Sequence, residues 1–487
     1  MSSVTDRPRA GRAVTAGADA SPVESPARLD RRHRLILLTL LGAQFMLAVD
    51  FSILNVALPV VGDGLGFSIG GLQWIATAFA LPAAGFTLLF GRVADLVGRR
   101  RLFLLGLALL LVGSLVGGLA TSPAVLLVGR TLQGLATAIA TPAALSLLTT
   151  AFPEGPQRRR ALGLNGAIMS AGFTAGAILG GLLTDLLSWR WAFLVNAPVA
   201  ALIIAATPFL VPETRTRTAT RLDVPGAVTV TGGLLALVFG ITRAEHGGWT
   251  DPLTLGSLVL SAALLISFWL IESRTADALV PVRILKRRTV IWGNAAGLVA
   301  FLTETSLVFL LTLYLQQVLG YTALSTGLAF GVLGIGTVVG GIYGPKAIAR
   351  LGTRNALVWG LVVQAAATAA LFALGTGSAW IWLLLAATFV GGVGNMIAIV
   401  GFMVTATSGL PDDEQGLATG LATMTQQVGI TLGIPIVSAV AAARMGDDDS
   451  VPAVLDGVGI AVLVNAAIAL LGAAVVTLTL RNPRTDA

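Results

Sequence analysis

Apolar positions along this chain run together in long unbroken stretches, with polar residues gathered in short clusters between them. A helix needs about 20 mostly apolar residues to cross a ~30 Å hydrocarbon layer. Fourteen runs meet that length, near 35–61, 71–90, 102–121, 123–149, 161–186, 190–211, 225–242, 253–271, 289–316, 324–343, 355–374, 380–406, 416–442 and 457–480. The pattern predicts an all-α polytopic membrane protein with fourteen transmembrane helices. Residues 1–34, rich in Pro, Ala and Arg, read as a disordered tail that precedes the first span. That span is too long for a signal-peptide core, so it is expected to stay in the mature protein.

The charges fall between the runs, and unevenly. If the N-terminus is inside, 27 of the 31 Lys and Arg lie in cytoplasmic stretches and three, Arg190, Arg243 and Arg444, lie outside. Arg130 is the remaining one and lies within a span. This asymmetry predicts a multi-pass protein of a cytoplasmic membrane with both termini cytoplasmic. The net charge of +7 is therefore a topology signal and an attraction to anionic lipid, with no implication of nucleic acid.

Composition narrows the chemistry. Charged residues are 11% of the 487 and hydrophobic residues 55%, too few charges to cover a soluble domain of this length. The absence of Cys excludes a disulfide framework, a thiolate metal site and a cysteine nucleophile. The two histidines, His33 and His246, are far apart, so no metal cluster, no cofactor and no enzyme are expected. Without a glycine-rich nucleotide loop carrying Lys, ATP is not expected to drive the protein.

An internal repeat appears at an offset of 254 residues. Leu65-Gly66-Phe67-Ser68 matches Leu319-Gly320-Tyr321-Thr322, and Gly98-Arg99-Arg100 matches Gly352-Thr353-Arg354. Two similar halves predict paired six-helix bundles, 35–211 and 289–480, with a binding site between them near the midplane. Two inserted helices would occupy 225–272, and 481–487 would form a cytoplasmic tail. The same offset carries Asp50 onto Glu304, each about fifteen residues, or ~22 Å, into its span.

Five segments then resemble the motifs of one family. Leu47-Ala-Val-Asp50-Phe-Ser-Ile-Leu-Asn55-Val-Ala-Leu-Pro59 is similar to the first-helix motif of the fourteen-helix drug:proton antiporters of the major facilitator superfamily (DHA2-type). Gly91-Arg-Val-Ala-Asp95-Leu-Val-Gly98-Arg99-Arg100 resembles the superfamily's loop between helices two and three, and Arg130-Thr-Leu-Gln133-Gly134 its fourth-helix motif. Gly163, Gly172, Gly176, Gly180 and Gly181 follow the spacing of the fifth-helix antiporter motif, with Ala177 where the family usually has proline. Trp189-Arg-Trp191-Ala-Phe-Leu-Val-Asn196-Ala-Pro198 resembles the entry to helix six. Leu96 stands where the family usually has a basic residue. The resemblance spans about 35–480 and implies the major facilitator fold and proton-coupled efflux of small molecules.

Physical reasoning marks the same residues. A carboxylate at mid-span is costly unless paired, hydrated or neutralised, so Asp50 and Glu304 are candidates for loading and releasing a proton. A polar contact between helices, or an acid kept neutral, is the plainer alternative. Arg130 needs a partner at its depth, and Asp50 is the nearest acid in depth, so the three form the expected proton-coupling set. Asn55, Gln133, Asn294 and Gln426 are uncharged hydrogen-bonding groups expected to line a substrate cavity. Gly91, Asp95, Gly98 and Arg99 read as a tight loop that locks one conformational state. Gly172, Gly176 and Gly180 recur every four residues and read as a close helix–helix interface.

The function expected is secondary active export: proton influx drives efflux of lipophilic or cationic small molecules such as drugs or antibiotics. A second reading is export of one endogenous metabolite, an antibiotic or siderophore. A non-transporting receptor or scaffold is the third, and it has no use for two matched buried acids. The expected partners are a small-molecule substrate, protons and the bilayer, with the chain acting as a monomer.

Overall fold

A computed structural model describes residues 30–67, 71–152, 156–213, 223–275, 282–408, 410, 415–446, 448 and 450–480. The expected tails at 1–29 and 481–487 lie outside the described residues. Helices account for the regular structure, and there is no strand among the described residues. The first half comprises α1 (Arg31–Leu65), α2 (Leu72–Val97), α3 (Arg99–Gly118), α4 (Pro123–Ala151), α5 (Pro156–Leu186), α6 (Trp191–Leu194) and α7 (Asn196–Leu210). The insert is α8 (Val224–Gly247) and α9 (Pro252–Glu272). After the short α10 (Val282–Leu285) come α11 (Arg288–Leu313), α12 (Ala323–Leu351), α13 (Thr353–Ala370), α14 (Ile381–Thr407), α15 (Gln415–Met445) and α16 (Val451–Thr479).

Thirteen of the crossings are long and apolar enough to span a membrane among the described residues, with α6 and α7 together making one. The fourteenth is α5, whose described apolar part, Ala171–Leu186, is shorter. The sixth run departs from the expected single helix: it breaks at Val195 between α6 and α7. Pro198 stands three residues into α7 and has no N–H to give Leu194, which releases the backbone at that point.

Local signals explain the ends. Asp30 caps α1 by accepting the His33 N–H at 2.7 Å, and Asp251 caps α9 by accepting the Thr254 N–H at 3.1 Å. Gly98 alone turns the chain from α2 into α3 with φ 117°, and Gly352 alone turns it from α12 into α13 with φ 79°. Gly66 and Gly320 end the preceding helices at φ 78° and 65°. Both pairs are 254 residues apart, so the repeat seen in the sequence is a repeat of backbone geometry in which only glycine sits without strain.

Within the first half α1 packs on α5, and α4 packs on α2 and α3; within the second, α11 packs on α15 and α16, and α14 on α12 and α13. The halves meet where α5 faces α12 and α2 faces α15. Helix α8 lies against both α2 and α15, and α9 covers α8, leaving Leu255, Val259, Ile266 and Leu270 exposed on the outside. In a bilayer that outward apolar face meets lipid tails.

Call the end at which α1 starts and α2 finishes the near face, and the other the far face. Two cross-bundle hydrogen bonds lie toward the far face, where Gln316 Nε2 donates to the Val56 carbonyl at 2.8 Å and the Leu324 N–H donates to Asp185 at 3.1 Å; a third, from Thr431 Oγ1 to the Ala80 carbonyl at 3.1 Å, lies nearer the middle of α15. Backbones close up toward the far face as well, since a Cβ at Gly327 would lie 2.6 Å from the Ala177 carbonyl oxygen. The position that usually carries proline in this motif thus presents its carbonyl directly to the second bundle.

Candidate functional site

Asp50 and Arg130 lie inside the first bundle, 1% and 2% exposed. Arg130 Nη1 stands 3.9 Å from Asp50 Oδ2, a loose ion pair. The guanidinium is otherwise well held: Nε donates to the Ile75 carbonyl at 3.2 Å, Nη1 donates to Gln133 Oε1 at 2.9 Å, and Phe79 lies under it at 4.3 Å. Gln133 passes the link on, its Nε2 donating to Asp50 Oδ1 at 2.7 Å and to Ser114 Oγ at 3.1 Å. Asn196 Nδ2 donates to the same Asp50 oxygen at 2.5 Å. Residues from α4 and α7 therefore converge on the α1 carboxylate, with Ser114 of α3 bonded to Gln133 and α2 supplying a backbone carbonyl and a ring to Arg130.

Such a network can exist in two states. With Asp50 ionised, Arg130 balances its charge in a medium that penalises isolated charge. With Asp50 protonated, the attraction that holds α4 to α1 at this level disappears while the neutral hydrogen bonds persist.

The glycine spacing serves this site. Gly172, Gly176 and Gly180 face α1, not the second bundle: a Cβ at Gly172 would lie 2.9 Å from the Phe45 carbonyl oxygen, and one at Gly176 2.8 Å from that of Val49. Gly180 abuts Ile53. These glycines let α5 lie directly on the turns of α1 that flank Asp50.

Glu304 is placed differently from Asp50 despite the shared offset. It is half-buried and has no hydrogen bond or ion pair among the described residues. Its neighbour Thr303 occupies the polar core of the second bundle, where Gln364 Nε2 donates to Thr303 Oγ1 at 2.9 Å and Asn465 Nδ2 donates to the Thr303 carbonyl at 3.0 Å. Ser306 Oγ donates to Asn465 Oδ1 at 3.0 Å. This polar core of the second bundle is thus knitted by uncharged groups, and the structure does not bring Glu304 together with Asp50 and Arg130.

A cavity of about 10 Å³ lies between the bundles, lined by Asn55, Thr77, Arg130, Thr431 and apolar side chains such as Phe51 and Ile434. Of the residues expected to line a cavity, Asn55 does so. Gln133 is sealed inside the Asp50 network, and Gln426 is not in the lining. Asn294 ties α11 to α15, accepting from Thr425 Oγ1 at 2.8 Å.

At the near face Gly91 packs toward Pro142, and the Asp95 side chain lies outside the described residues. Arg99 opens α3 directly after Gly98. The start of α3 is held by Glu213, which accepts the Arg100 N–H at 3.2 Å and lies 3.8 Å from the Nε of both Arg100 and Arg101. Ser114, Phe79 and Glu213 were not singled out in the sequence, and Asn196 was read only as part of the helix-six motif, not as a partner of Asp50. An amide inside an apolar run was the available signal for Asn196.

The match to known proteins agrees with this architecture. Residues 40–434 match the Major Facilitator Superfamily model. The chain is 38% identical over 484 residues to the puromycin resistance protein pur8 of Streptomyces alboniger, covering 96% of this chain and 95% of the relative. It is 37% identical over 409 residues to the cephamycin export protein CmcT of Amycolatopsis lactamdurans, covering 81% and 82%. In fold it is similar to a bacterial homologue of the human lysosomal transporter Spinster solved in an inward-facing, unoccupied conformation, with a TM-score of 0.64 at 16% identity over 93% of this chain and 98% of that one. The chain belongs to the Major Facilitator Superfamily, a family of membrane transporters and not of enzymes.

Proposed function

We propose that this transporter is a proton-coupled antiporter that exports lipophilic or cationic small molecules of the antibiotic and drug type. The observation that carries the reading is the Asp50–Arg130 pair, buried where an unbalanced charge is most costly and tying together α1, α4 and α7. A carboxylate so placed has a direct means of converting proton binding into a change of helix packing. Relatives named for puromycin resistance and cephamycin export favour antibiotics as cargo. They equally favour the narrower variant in which a producer exports its own metabolite.

In this reading the near face is cytoplasmic, which the 27-to-3 distribution of Lys and Arg supports, and both termini are cytoplasmic. The protein works as a monomer in the bacterial cytoplasmic membrane, without ATP, cofactor or nucleic acid. Contacts closing the far face then leave the substrate route directed inward. Glu304, half-buried and unpartnered, supplies a second acid for proton or cation. Asp95 and its loop bias the conformational equilibrium.

The test is transport into inverted membrane vesicles. Puromycin should accumulate when an inside-acid pH gradient is imposed and not when ATP is supplied together with a proton uncoupler. Uptake driven by ATP without a gradient would sink the reading.

A further inference from the structure

Three buried polar side chains near the site are not used by the network around Asp50. Gln73 and Thr77 lie one turn apart on α2 and are 0% and 3% exposed; Asn55, on α1, is 4% exposed. Neither amide atom of Gln73, nor Thr77 Oγ1, nor Asn55 Nδ2 has a hydrogen-bond partner among the described residues. Leaving such groups unpaired is costly, and buried water is the usual remedy.

Their positions are ordered. Arg130 Nε is bonded to the carbonyl of Ile75, which lies between Gln73 and Thr77 on α2. Thr77 and Asn55 line the cavity together with Arg130, and Gln73 lies one turn, ~5–6 Å, closer to the far face. At about 10 Å³ the cavity is close to the smallest that holds one water, and far too small for a drug. Among its lining residues Arg130 alone is charged. Asp50 Oδ2, behind it, also has no hydrogen-bond partner and can accept one.

We infer that Gln73, Thr77 and Asn55 line a file of water that carries protons from the outer face to Asp50. A water at the inner end gives its proton to Asp50 Oδ2; an O–H bond forms there as one breaks in the water, which regains a proton from the next water outward. A path one water wide passes protons and holds back larger molecules. This rests on the antiporter reading above, and on its assignment of the far face as outer.

The absence of cysteine makes the path testable in the full-length protein. Thr77→Cys in right-side-out vesicles should react with Ag+ added outside, a thiol-binding ion small enough to travel a path one water wide. Ser114→Cys, 0% exposed and not in the cavity lining, should not. Protection of Thr77→Cys would overturn the inference, whether or not transport is proton-driven. In the second arm, the near-isosteric Thr77→Val should slow gradient-driven puromycin transport about tenfold, ~1.4 kcal/mol of barrier, with puromycin binding unchanged. Thr77→Ser should restore the rate. Wild-type speed in Thr77→Val would overturn the inference. A wild-type protein that ignores the gradient would instead refute the antiporter reading, leaving water access to be decided by labelling.

Discussion

Asn196, the first residue of α7, donates its side-chain N–H to Asp50 across 146 positions of sequence, at 2.5 Å. The break at Val195 sets this contact, because it frees the start of α7 to point an amide into the bundle. The contact links the last crossing of the first bundle to its first.

Asn196→Ala removes one of two donors to Asp50 Oδ1 and leaves Gln133 as the other. The expected loss is about 1.5–3 kcal/mol, the usual worth of a hydrogen bond to a charged group. Purified Asn196→Ala should melt at lower temperature and export puromycin more slowly. Unchanged melting and transport would show that the amide is dispensable.

Asp50→Asn should abolish gradient-coupled efflux while the protein still inserts, since a neutral amide cannot cycle a proton. Arg130→Lys should be nearly as damaging, because an ammonium cannot reach the Ile75 carbonyl, Gln133 and Asp50 together as the planar guanidinium does. Substrate-induced proton release from purified protein separates the two effects. Release by Asp50→Asn equal to wild type would move the coupling role to Glu304.

Much of this arrangement is legible in one dimension because a membrane restricts it so strongly. Span length gives the helices, and depth along α1 and α4 is enough to bring Asp50 and Arg130 to one level. The repeat is legible because Gly66, Gly98, Gly320 and Gly352 must be glycine. Direction around a helix is harder to read. Glu304 shares the depth of Asp50, yet Thr303 faces the bundle core, and an offset in sequence conveys depth without facing. The same limit made Gly172, Gly176 and Gly180 legible as a close interface but not as one against α1. Gln73 and Thr77 carry no signal in the sequence, because their significance lies in what they fail to touch.

Gly180→Ala should be poorly tolerated, since even one methyl group meets the backbone at Ile53. Overpacking of this kind costs ~1–3 kcal/mol, and here it would lift α5 from the turns beside Asp50. Gly331→Ala is the control: its nearest neighbour would be Ile178 Cδ1 at 3.6 Å, an ordinary contact. Melting curves of the two purified variants should differ clearly. Equal stability would mean that the α1–α5 contact is not close-packed as described.

Glu304→Gln should have a graded effect, because this acid stands outside the Asp50 network. Efflux of a cation should suffer most, as it loses a counter-charge, and efflux of a neutral compound should suffer least. Paired efflux assays with a cationic and a neutral compound check this. Equal, complete loss for both would make Glu304 part of the coupling step itself.

Asp185 on α5 caps α12 of the other bundle, accepting the Leu324 N–H at 3.1 Å. A carboxylate at a helix N-terminus stabilises by about 0.3–1 kcal/mol when exposed, as Asp185 is. Because this contact joins the two bundles only while the far face is shut, its energy belongs to that state alone. Asp185→Ala should therefore shift the equilibrium toward opening at the far face, by up to about fivefold in the ratio of states. Asp185→Asn, which keeps an acceptor oxygen, should shift it less. Spin labels on Leu187→Cys and Tyr321→Cys would report the change, since the native chain has no cysteine to compete for label. The longer-distance population should grow in Asp185→Ala. Distance distributions identical to those with Asp185 intact would show that the far face is held shut by packing of α5 on α12 without help from the cap.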